Sequence, residues 1–292
     1  MACSYRFSAL SGYFVDNVLE ASSCLGGKLT TRPNLGLIDR QYDPNQPSGE
    51  LPWARFRQHV DHLNQQSPPG ESYKVLYLVR HGLSVHNIFM EEVGNEAWKK
   101  HWSRLEGNGV LTWLDAKLTA EGVMLSQDLG RRWINWSKEQ AIPLPETIYT
   151  SPLARCLETT RLVYSPALSE CGRSLEPVVK EMLRERLTNH TCDKRSLRSW
   201  IASHYPKYVL ESDFEEEDVL WKADRFETAD EHTARKQQLL EDIFSKDNAQ
   251  FVSLTTHSYA ISAILEVVGA PHFRVSEGAV IPLLVKARRL PV

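Results

Sequence analysis

Cysteine is sparse and unorganised in this chain. The five residues, Cys3, Cys24, Cys156, Cys171 and Cys192, are odd in number and scattered, with no C-x-x-C pair. That pattern excludes a disulfide framework and a zinc-ligand spacing, and it fits a reducing compartment. Long apolar runs are missing too. None approaches the roughly 18 residues of a membrane span, and the N-terminus has no basic stretch followed by an apolar core, so the reading is a soluble, cytoplasmic protein. Nor does one sign of charge dominate: 34 Lys and Arg stand against 37 Asp and Glu, a formal charge of −3. So even a balance gives no footing to nucleic acid or an anionic membrane as partner, and any anion site must be local.

What is present is enough apolar material, 42% of 292 residues, for a sizeable core. Length favours one large α/β domain with extensions over two small ones. The organising stretch is Val75-Leu76-Tyr77-Leu78-Val79, a continuous apolar run that reads as a parallel strand buried on both faces. It ends abruptly in Arg80, His81 and Gly82. In open α/β sheets ligands lie outside the carboxyl ends of strands, so the cation and the imidazole are delivered to the rim. Gly82 suits a tight turn or a close backbone approach.

The first 70 residues mix Gly, Pro, Ser and Asn with isolated apolar patches, and read as an N-terminal extension packing on a main domain of residues 71–292. Within them Trp53, Phe56, Val60 and Leu63 have helical spacing behind Pro52 at a first helical position. After Gly82 comes a segment with Trp98, Trp102 and Trp113, either a lid or a cover for the sheet edge. Thr119 is placed to cap a helix running through Leu125, Leu129 and Trp133, in which Gly130 costs helix propensity. Glu146–Thr150 reads as a strand turning into a helix with Ser151 as cap and Pro152 in its first turn. Residues 177–187 begin as a strand and end in charge. The acidic stretch that follows, densest at Phe214–Asp218, reads as solvated helices on one face of the sheet. Phe251–Thr256 is a second buried strand ending in histidine, His257, and Val280–Val285 a last strand, placed at or near an edge by Pro282. Two strands thus end in His81 and His257, with Arg80 and Arg155 at strand-to-helix junctions. Guanidinium forks match phosphate oxygens, so the set suggests a phosphate pocket.

These motifs resemble the histidine phosphatase superfamily, the phosphoglycerate mutase-like fold, from about Lys74 to Lys286. The resemblance is carried by Arg80-His81-Gly82 with Asn87 downstream, Leu118-Thr119 with Gly122, Ser151-Pro152 with Arg155 and Thr159, Leu183-Arg184-Glu185, and Thr256-His257 before a helix. His86 and the segment His190–Arg195 are most similar to fungal phosphomutase-like proteins of the Pmu type. The resemblance implies a three-layer α/β/α sandwich with a mostly parallel central sheet. It also implies His81 as a nucleophile forming a phosphohistidine, with Arg80, Arg155 and His257 around the phosphoryl group and Glu185, rather than Glu181, as acid and base. Asn87, His86, Arg186 and Ser258 are the candidate substrate contacts. His86 has an interior, hydrogen-bonded role as its alternative, and Arg186, with His190 and Lys194, either lies in a solvated loop or meets a second anionic group. No metal or cofactor is called for. Departures from the family pattern, Leu83 for Glu or Gln, Ser258 for Gly and Leu125 for Gln, favour hydrolysis of a small phosphate ester. A phosphomutase and a catalytically silent scaffold of the same fold are the alternatives.

Overall fold

The computed structural model describes residues 4–43 and 49–291. Its strands are β1 (Tyr5–Ala9), β2 (Lys28–Leu29), β3 (Glu71–Arg80), β4 (Thr147–Thr150), β5 (Val178–Val179), β6 (Val209–Leu210), β7 (Phe251–Thr256), β8 (Arg274–Val275) and β9 (Val280–Arg289). The helices are α1 (Asn17–Ser23), α2 (Pro52–Gln65), α3 (Val85–Val93), α4 (Asn95–Lys100), α5 (Ala120–Glu139), α6 (Ala154–Glu170), α7 (Arg198–His204), α8 (Ala229–Lys246) and α9 (Ser258–Val267). Seven strands form the central sheet in the order β1-β9-β3-β7-β4-β5-β6, and β2 pairs with β8 apart from it. From β3 through β6 all pairings are parallel, while β9 runs antiparallel to both β3 and β1.

The apolar run of β3 is continuous because both faces are covered. Leu76 and Leu78 face the core formed with Leu239, Leu240 and Ile243 of α8 and Ile261, Ile264 and Leu265 of α9. Val75, Tyr77 and Val79 face the opposite core, with Trp53, Phe56 and Val60 of α2, Leu129 and Trp133 of α5, and Val163 and Tyr164 of α6. Three layers follow directly from that alternation. Residues before β3 enter both layers of contact, since β1 pairs with β9 and α2 buries its apolar stripe.

Several expectations are corrected. The helix after β4 starts at Ala154, not at Ser151-Pro152. Ser151 still donates its N–H to the Thr255 carbonyl at 3.0 Å and so belongs to the sheet ladder. The cap comes instead from far away, with Asp115 Oδ1 accepting the Ala154 N–H at 2.8 Å. Pro282, by contrast, lies near the edge as expected: β9 is one strand in, and Pro282 pairs opposite Tyr77 of β3, beyond the residues 285–289 that β1 covers. Gly130 earns its place in α5 by close packing, because a Cβ there would meet the Leu162 carbonyl oxygen of α6 at 2.6 Å. Residues 177–187 do begin as a strand and end in charge, and the strand is short, Val178–Val179. The run Phe214–Asp218 is not helical, and although Glu215, Glu216 and Glu217 are exposed, the Asp218 side chain is 1% exposed.

The tryptophan-rich segment forms a cluster separate from the two cores that cover the sheet. Trp98 and Trp113 pack with Phe89 and Cys192 into a small core of their own, with Trp102 against it. That core buttresses the 190–193 segment, where the Thr191 hydroxyl donates to the Leu105 carbonyl at 2.5 Å.

Candidate active site

Register sets the geometry of the rim. In the parallel pairing of β3 with β7, Arg80 lies opposite Thr256, so His81 and His257 leave the sheet side by side. Their ring centroids are 5.1 Å apart. His81 is anchored at its backbone, where its N–H donates to the Thr256 carbonyl at 3.0 Å. Gly82 then makes the close approach its type allows: a Cβ there would sit 2.6 Å from the Gly122 oxygen. The Gly82 N–H donates to the Thr159 hydroxyl at 3.0 Å, tying the loop to α6.

The His81 tautomer follows from its partner. Nδ1 lies 2.8 Å from the Gly82 carbonyl oxygen, which can only accept, so Nδ1 carries the proton and Nε2 the lone pair. Burial, Arg155 and Arg80 together push the His81 pKa well below the usual imidazole value, which keeps the ring neutral. Burial, Arg155 and His81 do the same to His257. The Nε2 atom of His257 is 2.8 Å from the Ser151 hydroxyl, which is free for this contact because Asp115 has taken over the cap of α6.

Both arginines are buried, Arg80 at 7% exposure and Arg155 at 1%. Arg80 donates from Nη1 to the Val275 carbonyl at 2.7 Å and pairs through Nη2 with Glu277 at 2.7 Å. Arg155 donates from Nη1 to the Cys192 carbonyl at 2.7 Å and stands 3.6 Å from Asp193. In each guanidinium the remaining Nε–H is buried without a partner among the described residues. Two such donors beside one neutral imidazole are the arrangement an oxyanion would complete.

Glu185 reaches the same rim from the segment after β5. Its carboxylate accepts the N–H groups of Tyr259 at 3.1 Å and Ala260 at 2.9 Å, in the first turn of α9. It thereby caps α9 from a distance, and His257, the N-cap residue, makes no cap bond with its own ring. Burial and the neighbouring Asp193 raise the Glu185 pKa, outweighing the backbone N–H groups and Arg155 that pull it down. Glu181, the other carboxylate in the segment, is committed to Arg184 and Arg195.

The remaining candidates divide. His86 and Asn87 belong to the start of α3: the Asn87 amide oxygen accepts the Ser84 N–H at 3.2 Å, and His86 Nδ1 is 2.7 Å from the Ser84 hydroxyl. The His86 ring stands 6.1 Å from that of His81, which places it at the rim in a hydrogen-bonded role. Ser258 opens α9 directly after His257. Arg186 lies over the Tyr259 ring, 6.0 Å from its centroid, on the wall of a hollow of about 500 Å³ shared with His232 and His272. Lys194 lies over Trp221, whose indole N–H donates to the His190 carbonyl.

The family profile described as histidine phosphatase superfamily (branch 1) matches residues 76–274, a stretch running from β3 to β8. This chain belongs to the histidine phosphatase superfamily. It is 40% identical over 286 residues, 96% of itself, to a probable phosphoglycerate mutase of Arthroderma benhamiae, and covers 84% of that protein. It is 31% identical over 269 residues, 86% of itself and 90% of the relative, to a probable phosphoglycerate mutase of Saccharomyces cerevisiae. Identity to phosphomutase-like protein 3 of Candida albicans is 30% over 213 residues, 73% of this chain and 65% of that one.

In this histidine phosphatase superfamily member, sequence reasoning missed Glu277 and Asp115, which hold Arg80 and α6, and named Ser151 and the segment of Asp193 without seeing that they hold His257 and Arg155. Arg80 and Arg155 need carboxylates somewhere nearby, but nothing in the spacing says which. His190, Cys192 and Asp193 bring potential metal ligands within 4.8 Å of one another. Their chemistry argues for another use. Asp193 already serves Arg155 and the Thr188 hydroxyl, and Cys192 is packed into the small core with Phe89, Trp98 and Trp113.

Proposed function

We propose that this chain is a phosphoric monoester hydrolase that works through a phosphohistidine at His81 and releases inorganic phosphate from a small phosphorylated metabolite. The observation that carries the reading is the neutral His81 ring, its Nδ1 proton held by the Gly82 carbonyl, beside two guanidinium groups with unpartnered Nε–H donors. His81 Nε2 attacks phosphorus in line while the P–O bond to the leaving group breaks. Arg80, Arg155 and His257 stabilise the charge on the transferring group, and Glu185 gives its proton to the departing oxygen. In the second half, water attacks the phosphohistidine, Glu185 takes the water proton, and the P–N bond breaks to return His81.

The mutase reading draws on the relatives, which are named as probable phosphoglycerate mutases. Hydrolysis is supported by Leu83, Leu125 and Ser258, which replace the family's usual residues at the rim, and a mutase must also keep water from the phosphoenzyme. The two are separated by incubating the protein with p-nitrophenyl phosphate and a panel of phosphorylated metabolites. Free phosphate and an acid-labile, alkali-stable phosphoryl adduct are expected. Transfer to a second hydroxyl with bisphosphate priming and no free phosphate would replace the proposal by the mutase.

A pH profile follows from the two shifts. His81 must be neutral, and its lowered pKa keeps it so down to pH values below the ordinary imidazole range. Glu185 must be protonated for the first step, and its raised pKa extends the protonated form above the ordinary carboxyl range. Rates for the first step should therefore fall on the alkaline side as Glu185 ionises and on the acid side only where His81 protonates. In Glu185→Gln the alkaline limb should vanish from presteady-state phosphoryl transfer, with the acid limb retained.

A further inference from the structure

The face of α8 that meets the Glu185 segment carries three nitrogen-bearing side chains, of which His232 is neutral because burial lowers its pKa far below the usual imidazole value. His232, Arg235 and Lys236 stand at i, i+3 and i+4 and so share one side of the helix. Lys236 is 0% exposed, and none of the described ion pairs includes it. Its Nζ donates to the Met182 carbonyl at 2.6 Å and the Arg184 carbonyl at 2.7 Å. Arg235 donates from Nη1 to the same two carbonyls, both at 3.2 Å, and from Nη2 to the Glu185 carbonyl at 2.9 Å. The one carbonyl α8 leaves, that of Leu183, accepts the Thr256 hydroxyl at 2.6 Å, one residue before His257. Glu227 completes the restraint. It pairs with Arg235 and accepts the Leu187 N–H at 2.9 Å, just past Glu185.

Four successive carbonyls, from Met182 to Glu185, are thus each held by a side chain, in a segment outside any strand. Holding a loop in place does not require a buried amine. Burial, with Arg235 beside it, lowers the Lys236 pKa well below the usual lysine value, so the amine is held here at a cost, in desolvation or in its proton, that an apolar residue of the same shape avoids. What the amine supplies is two directed N–H bonds that fix the peptide planes leading into Glu185. A general acid works only within hydrogen-bond reach of the leaving oxygen, and a displacement near 1 Å removes much of its benefit.

We propose that Lys236 and Arg235 are positioning residues for Glu185, clamping the carbonyls of residues 182–185 so that its carboxyl is held against the leaving oxygen at the rim. Neither touches the phosphoryl group. The proposal rests on Glu185 being the proton donor, and its test separates the two.

The leaving-group dependence of phosphate release isolates the proton donor. It is measured on the full chain with phenyl phosphate, whose leaving oxygen needs protonation, and p-nitrophenyl phosphate, whose leaving oxygen needs little. Glu185→Gln should lower the phenyl phosphate rate on the order of 10²-fold and the p-nitrophenyl phosphate rate far less. Lys236→Met, which keeps the stem and removes the donors, should show the same selective loss, and Lys236→Arg should restore part of it. A uniform loss on both substrates, or the wild-type ratio in Lys236→Met while Glu185→Gln is selective, would overturn the clamp and leave the role of Glu185 standing. A wild-type ratio in Glu185→Gln would remove the donor and the proposal together. Should Lys236→Met fail to fold, Arg235→Gln is measured in its place, with the same outcomes.

Discussion

His81→Ala should lose turnover by on the order of 10⁴-fold or more, while still binding inorganic phosphate. The size of the loss follows from the absence of a substitute. His257 is the neighbouring ring at 5.1 Å, but its Nε2 faces the Ser151 hydroxyl at 2.8 Å, and its place after β7 is fixed by the same register that places His81. Water cannot inherit the role cheaply, because the phosphoryl group would then lose an attacking atom held in line. Anion binding should survive, since Arg80 and Arg155 keep their own anchors, Glu277 and the Val275 carbonyl for one, the Cys192 carbonyl for the other. Phosphate binding by calorimetry and phosphate release are therefore the two measurements to set side by side. Equal turnover in His81→Ala and wild type would sink the phosphohistidine and favour a scaffold. Arg155→Ala should behave oppositely, weakening phosphate binding as well as rate, and Arg155→Lys should restore little of either, because an ammonium lacks the planar fork.

The parts of this site legible in the sequence are those written locally. The buried run of β3 and the contiguous Arg80-His81-Gly82 announce a strand delivering chemistry to a rim, and Phe251–His257 repeats the signal. The spacing of Trp53, Phe56 and Val60 gives α2 directly, and Thr119 caps α5 as its type predicts, accepting the Gly122 N–H at 3.0 Å. What stayed hidden depends on long-range contact, which leaves no periodic trace. The Ser151-Pro152 pair looks like a helix start because local rules favour it there. The ladder bond from Ser151 and the distant carboxylate of Asp115 override that preference. Glu185 could be matched to a motif, but not seen to cap α9. Strands β5 and β6 are two residues each, too short for any alternation to register. Gly130 reads as a cost until α6 is brought against it.

The acidic run is the sharpest instance of a misleading local signal, and it carries the largest expected effect on stability. Asp218→Ala should destabilise the protein by about 3–5 kcal/mol, the usual result of stranding a buried charge. Arg184 is fully buried, and its guanidinium grips the Asp218 carboxylate with two bonds, Nη1 to Oδ1 at 2.7 Å and Nη2 to Oδ2 at 2.6 Å. The same carboxylate accepts the N–H groups of Arg195 at 2.9 Å and Trp221 at 3.0 Å, so its loss orphans several donors at once. Arg195, in turn, holds the Glu215, Glu216 and Glu217 carbonyls, which is why these residues stay in place with their side chains in solvent. A sequence of four acids is thus two things: three solvated side chains on a backbone tied inward, and one carboxylate at the centre of an ion-pair network. Removing both charges should cost less than removing one, since the remaining partner is no longer buried unpaired. The shift of the urea midpoint in Asp218→Ala, compared with Arg184→Met/Asp218→Leu, measures this directly. A single variant as stable as wild type would return Asp218 to the solvated surface. A double variant less stable than Asp218→Ala would mean that the bonds from Arg184 to Glu181 and the Asp193 carbonyl outweigh the stranded charge.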